Sequence, residues 1–300
     1  MKYRFLLLLT AFFWGCAFVA QRVGMDFIGP FGFNGVRFWV GALAVLPLVW
    51  WTRRTSKEVY APRPSWLSLP VACAILGLFL FTGSALQQYG LLFTTAGKAG
   101  FITSLYIVVV PILGIFLKTP LRASHIGGCL VAMVGVYLLA FHGTDQSINF
   151  GDVLELIGVI FWSLHILCIS RFVPHFSGVE LAAGQFFACG LYNFIAMVPF
   201  GESLTIVGIM AAAIPILYCG IFSSGIAYTL QIIGQKHVAP TEASLICSFE
   251  MIFSALAGVI LLGETMTGRE IIGCVLMSIG IFAAQIPSRI VLSLGQQKLD

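Results

Sequence analysis

The sequence predicts an all-α integral membrane protein of ten transmembrane helices, arranged as two inverted five-helix repeats. Three observations predict it. Hydrophobic residues make up 59% of the 300 residues and charged residues 9%, against ~25% charge in a soluble domain, so lipid is the main solvent. Apolar stretches of the ~20 residues needed to cross a bilayer recur along the chain. The second half also echoes the first in order. Gly128-Cys129-Leu130-Val131-Ala132-Met133-Val134-Gly135 returns 145 positions later as Gly273-Cys274-Val275-Leu276-Met277-Ser278-Ile279-Gly280. Phe13-Trp14 returns as Phe161-Trp162, and Arg37-Phe38-Trp39 as Gln185-Phe186-Phe187, both 148 on. Leu86-Gln87 and Gly90 match Leu230-Gln231 and Gly234 at 144. Five helices per half is odd, so the second copy, 146–300, crosses the membrane in the opposite sense to the first, 1–145.

The spans are expected near 4–22, 33–51, 66–89, 95–117, 123–141, 151–171, 179–200, 209–234, 240–262 and 269–288. The first follows Lys2 and Arg4 as a signal peptide would, but has no small-x-small cleavage site and reads as an uncleaved span. Turns are marked by Gly29-Pro30, by Pro62 and Pro64 in the longest polar stretch, 52–64, and by Gly143 and Gly201. In the fourth span Pro111 removes a backbone donor and marks a hinge. Its repeat counterpart is Ala255, so the kink is expected on one side only. Gly128 and Gly135 in the fifth span, and Gly273 and Gly280 in the tenth, recur seven apart and read as close packing, within the chain or against a second copy.

Of sixteen Lys and Arg, twelve fall on one side: Lys2, Arg4, Arg53, Arg54, Lys57, Arg63, Lys118, Arg122, Arg171, Lys236, Arg289 and Lys298. By the positive-inside rule both termini of this multi-pass chain are cytoplasmic. The opposite loops carry Asp26, Asp145, Asp152, Glu202 and Glu264. The eight cysteines form no CxxC pair and read as small packing residues; no metal site, cofactor or nucleic-acid contact is expected. There is no Gly-rich phosphate loop, hence no direct use of ATP, and no HExxH. The protein is not expected to be an enzyme.

Phe13-Trp14-Gly15 in the first span, and the ninth-span run from Ala243-Ser244-Leu245 through Glu250 to Leu261-Leu262-Gly263-Glu264, resemble the drug/metabolite transporter superfamily, EamA type. The resemblance covers nearly the whole chain. It implies a central cavity lined by helices 1–4 and 6–9, with 5 and 10 outside, and export in preference to import. Two departures stand out. Lys118-Thr119-Pro120 replaces the family's Gly-Glu, and Met251 stands where a Pro often follows the Glu, which implies a straighter ninth helix. Fold membership does not supply a substrate.

Candidate site residues follow from depth and spacing. Glu250 lies near mid-bilayer, where a carboxylate costs ~2.5–3.5 kcal/mol on insertion scales and must face a cavity or a partner. It shares a small, polar stripe with Ala243, Cys247, Ser254 and Ala257. It binds a proton or an amine, or is a hydrogen-bonded structural group. His165 shares a face with Glu155, Gly158 and Trp162, matching Leu7, Thr10, Trp14 and Ala17, which continue to Gln21. It pairs or relays with Glu250, or bonds locally. Arg37, on a stripe with Asn34 and Gly41, binds a carboxylate, or else snorkels or pairs with Glu155. Lys98 reads as interfacial. Trp14, Trp162, Tyr106 and Tyr228 form an aromatic wall or ordinary packing. Gln87, Gln88, Gln231 and Asn193 are weaker polar candidates.

The expected function is secondary active transport of a small metabolite such as an amino acid, with protons as the candidate coupling ion, by a monomer or homodimer. Substrate contact falls to Trp14, Arg37, Tyr106, Trp162, His165, Tyr228 and Glu250, and proton coupling to Glu250 and His165. The alternatives are import of an organic cation or vitamin, and a non-transporting membrane scaffold or enzyme.

Overall fold

The computed structural model describes residues 1–94, 96–117, 119, 121–140, 148–262, 266–284 and 291–292. Lys118, Pro120, Gly143, Asp145, Gly263, Glu264, Arg289 and Lys298, and the side chain of Lys98, lie outside the described residues. The helices are α1 (Lys2–Gly24), α2 (Pro30–Thr55), α3 (Leu69–Gly90), α4 (Ala96–Ser104), α5 (Tyr106–Phe116), α6 (Ala123–Ala140), α7 (Phe150–Phe172), α8 (Gly178–Met197), α9 (Ile206–Ala211) and α10 (Ala213–Leu217). A π-helical segment, Tyr218–Tyr228, then leads into α11 (Thr229–Gln235), α12 (Pro240–Cys247), α13 (Glu250–Leu262) and α14 (Gly268–Ala284). The only strands among the described residues are two-residue β1 (Leu121–Arg122) and β2 (Val291–Leu292), paired antiparallel.

Among the described residues, six helices are long and apolar enough to cross a membrane: α1, α2, α3, α7, α8 and the continuous stretch Ala213–Gln235. Local chemistry sets their ends. Pro30 and Pro240 occupy first-turn positions where no N–H is needed, and Asn149 and Asp152 form a reciprocal capping box on α7. Gly201, at φ +67, turns the chain after α8.

Helices expected fourth and ninth are both interrupted, which corrects two expectations. The expected kink at Pro111 lies within α5; the break is at Leu105, between α4 and α5. The ninth is not straight either: it breaks at 248–249, between α12 and α13. The breaks are 144 apart, and the same short turn closes each, Leu105 N–H to Ile102 O at 3.0 Å and Phe249 N–H to Ile246 O at 3.2 Å. A hydroxyl stands at each break and bonds backward, Ser104 Oγ to Gly100 O and Ser248 Oγ to Leu245 O. Such side-chain bonds compete with the helix ladder. The Ile107 carbonyl, which Pro111 cannot serve, accepts instead from the Cys129 thiol at 3.2 Å.

Packing joins equivalent elements. α6 lies on α14, within the chain. A Cβ on Gly135 would stand 2.6 Å from Gly273 O, and one on Gly280 2.6 Å from Gly128 O, so only glycine permits this approach. α2 lies on α8, with Trp39 and Phe187 stacked at 5.4 Å and Phe38 and Phe186 at 6.3 Å. Helix ends are tied by the ion pairs Arg4–Glu242, Arg53–Glu180 and Lys236–Glu58. At the other end of α2, the Glu202 carboxylate accepts from the N–H groups of Phe31 and Gly32, at 3.2 and 2.9 Å.

Candidate functional site

The interrupted helices, α1, α2, α3, α7, the π segment and α11 surround one cavity. It brings together all seven residues singled out from the sequence: Trp14, Arg37, Tyr106, Trp162, His165, Tyr228 and Glu250. Gln87, Gln231 and Gln21 line it too. Gln88 and Asn193 do not: Gln88 donates to Gln21 O and Asn193 to Cys189 O, in its own helix.

The two breaks deliver two functional groups. Tyr106 is the first residue of α5 and Glu250 the first of α13, so each sits at the N-terminal end of a half-helix. That end carries the positive pole of the helix dipole, which favours a carboxylate. The Tyr106 hydroxyl donates to Glu250 Oε1 at 3.0 Å. Glu250 is 5% exposed. The sequence stripe through Glu250 is therefore cut by a break just before it. α1 comes close at this point because residue 15 is glycine; a Cβ there would lie 2.6 Å from Glu250 O.

His165 does not pair with Glu250. Its Nε2 shares a 2.8 Å hydrogen bond with Gln185 Oε1 on α8, the repeat counterpart of Arg37; α3 packs against both α7 and α8 and brings the two within reach. Arg37 neither snorkels nor pairs with Glu155. It is 3% exposed, its Nε donates to Asn34 Oδ1 at 2.8 Å, and its guanidinium lies over the Phe38 ring at 4.7 Å. No carboxylate within ion-pair distance faces it among the described residues. Asn34 is fixed in turn by donating to Ser84 O. Glu155 accepts instead from Thr103, which accepts from Gln87.

Tyr228 forms the centre of the aromatic wall. Trp14 lies 4.6 Å from it, His165 5.9 Å and Trp162 6.4 Å, ring centre to ring centre. Trp14 donates from Nε1 to Ser223 O in the π segment. Four buried polar atoms on lining residues have no protein partner among the described residues: Gln21 Oε1, Gln231 Oε1, Trp162 Nε1 and His165 Nδ1. Buried polar groups are ordinarily hydrogen-bonded, so this wall offers both donors and acceptors to an occupant.

Reading the sequence missed Thr103 and Ser223 as lining residues. It also missed the π segment. The signal available was Gly220-Ile221-Phe222-Ser223-Ser224-Gly225, where small residues let α2 approach: a Cβ on Gly41 would lie 2.8 Å from Ser224 Cβ.

A family profile described as the EamA-like transporter family matches residues 1–141 and 149–284. The chain belongs to the EamA-like transporter family. An "Uncharacterized transporter" of Archaeoglobus fulgidus is 30% identical over 279 residues, covering 92% of this chain and 83% of that one. The "Uncharacterized inner membrane transporter YedA" of Escherichia coli is 26% identical over 267 residues, 86% and 82% of the two chains. A solved structure titled "Crystal structure of protein" superposes with a TM-score of 0.76 at 20% identity, covering 95% of this chain and 96% of that one, which places the fold. This EamA-like protein is thus a helical, multi-pass membrane protein.

Proposed function

We propose that this EamA-like protein is a secondary transporter that exports small zwitterionic metabolites, amino acids among them, by alternating access. One observation carries the reading: a single cavity holds a buried cation, Arg37, and a buried carboxyl, Glu250, with an aromatic wall beside them. A zwitterion presents one group to each. Arg37 receives the carboxylate in a two-pronged geometry, Glu250 receives the ammonium group, and Trp14, Trp162 and Tyr228 cover the side chain. A charge buried without a counter-charge is costly, and the substrate supplies the carboxylate that Arg37 lacks among the described residues.

The chain crosses the membrane ten times, each interrupted helix counting once, as inverted repeats 1–145 and 146–300. Support comes from the family profile matching each half separately and from contacts between equivalent residues. The membrane is the bacterial cytoplasmic one, with both termini inside. The halves rock about the cavity and open it alternately. Glu250 releases its proton to water when the substrate ammonium group binds and takes one up again when the substrate leaves, and so couples transport to the proton gradient. With α6 packed on α14 inside one chain, a monomer suffices.

The aromatic ring cluster around Tyr228 favours a second reading, import of an organic cation or vitamin, with Glu250 as counter-charge. Arg37 counts against it. A thermal-shift screen of purified protein against amino acids, organic cations and vitamins separates the readings, because a ligand that binds the folded state raises its stability. The first predicts a zwitterion hit lost in both Arg37→Ala and Glu250→Gln. A cation hit that survives Arg37→Ala transfers the assignment to the second.

A further inference from the structure

Tyr106 and Glu250 are 144 positions apart, the offset that relates Gln87 to Gln231. They are the same residue of the two repeats. Each opens the second half of an interrupted helix, and each follows a serine two residues earlier, Ser104 and Ser248. The structure bonds these two equivalents to each other at 3.0 Å. A direct contact between equivalents places the pair on the axis that relates the halves.

Position on that axis has a mechanical consequence. In an inverted-repeat transporter the outward- and inward-facing states differ by the two halves exchanging conformations. A contact between non-equivalent residues is carried by that exchange onto a different pair, so it changes unless this state already makes that second contact too. The Glu202 cap on Gly32 is of this kind: the counterpart of Gly32 is Glu180, which is held by Arg53. A contact between equivalents is carried onto itself. The Phe38–Phe186 and Trp39–Phe187 stacks share this property. The glycine contacts of α6 on α14 share it as a set, since exchange turns Gly135 on Gly273 into Gly280 on Gly128. Of these, only the Tyr106–Glu250 pair is polar and lines the cavity.

We propose that the Tyr106–Glu250 hydrogen bond is a fixed axle of the transport cycle, kept in both the outward- and inward-facing states, with Tyr106 the positioning residue that holds the Glu250 carboxyl within reach of either side. The proposal rests on the transport reading above. The other titratable or charged groups lining the cavity are Arg37 from α2, His165 from α7 and Tyr228 from the π segment. α1 and α3 contribute Trp14, Gln21 and Gln87, which carry no charge. On the axis the carboxyl therefore meets a single phenol, with the Cys247 thiol of α12 close by.

The test exchanges the pair. Purified wild-type protein, Tyr106→Glu, Glu250→Tyr and the double variant carrying both are reconstituted in vesicles. Counterflow of the zwitterion found by thermal shift is measured across pH. Each single variant places two carboxyls or two phenols on the axis and is expected to lower turnover by at least about tenfold. The double variant restores one of each, and is expected to recover turnover together with the wild-type pH profile. A role in stability alone would restore folding without restoring that profile. A double variant that binds the zwitterion yet moves it no faster than the singles overturns the axle. Should the double variant not fold, Tyr106→Phe decides: a tenfold loss of turnover with a displaced pH profile is expected, and wild-type behaviour in both overturns the proposal. Wild-type protein that exchanges no zwitterion removes the transport reading and the axle with it, whereas active wild type beside a failed exchange removes the axle alone.

Discussion

Arg37 and Glu250 set the chemistry of the cavity, and each is more than nine-tenths buried. Removing one partner of a buried charge interaction costs roughly 2–5 kcal/mol, because the other is left unpaired. Arg37→Ala and Glu250→Gln should therefore each weaken zwitterion binding by at least about thirtyfold, read by titration calorimetry. Loss from only one of them would show that the ligand carries one charge. Cys129 supports a different role. Its thiol serves the carbonyl that Pro111 orphans, and a backbone acceptor left bare in hydrocarbon is destabilising by about 1–3 kcal/mol. Cys129→Val should lower the unfolding midpoint in detergent, and Cys129→Ser, which keeps a donor, should not. The burial of Glu250, Arg37 and His165 was legible in the sequence, because polar side chains are conspicuous in apolar runs. Their partners were not. Spacing gives the face of a helix, but not which residue of another helix that face meets: His165 meets Gln185 and Glu250 meets Tyr106 only through the tertiary arrangement.

At the scale of the element, the repeat in sequence became contact in space. The Gly-Cys…Gly echo of the fifth and tenth helices reads as a packing face, and the structure turns the two faces onto each other. Gly135→Leu would drive a side chain into the α14 backbone. Overpacking of this kind costs about 1–3 kcal/mol or more, so the variant should unfold at lower temperature than wild type, while Gly127→Leu, whose position is open, should not. Equal midpoints for the two would contradict the packing. The interruptions of the fourth and ninth helices were the least legible feature. Pro111 and Ala255 predicted asymmetry, yet the breaks are equivalent, set by Ser104 and Ser248 and by short turns that no proline is needed to make. A hydroxyl inside a strongly apolar helix is too common to announce a break by itself.

At the scale of the molecule, the segment between α2 and α3 ties distant parts together. Glu58 accepts from Lys236 Nζ at 2.6 Å, and Ala61 N–H donates to Pro174 O at 3.0 Å. The Lys236 hydrogen bond holds the Glu58 carboxyl below the usual carboxylate range. A group depressed in the folded state stabilises above its unfolded value, about 4.3 for Glu, and that contribution disappears as pH falls through the lower folded value. Hydrogen exchange in 56–64 should thus accelerate as pH falls below about 4 relative to the intrinsic rate. Lys236→Ala should show the faster exchange already at neutral pH; identical profiles for variant and wild type would mean the pair does not hold the segment.

The central claim is that one cavity reads both ends of a zwitterion, and counterflow in vesicles tests it most directly. Wild-type protein would be loaded with a neutral amino acid and challenged outside with the same compound, with its decarboxylated amine, and with its deaminated acid. The account predicts exchange with the amino acid and at least about thirtyfold weaker competition by each analogue, since each leaves Arg37 or Glu250 unpaired. An amine that competes as well as the parent amino acid would contradict it, and would give the cavity to an organic cation held by Glu250 alone.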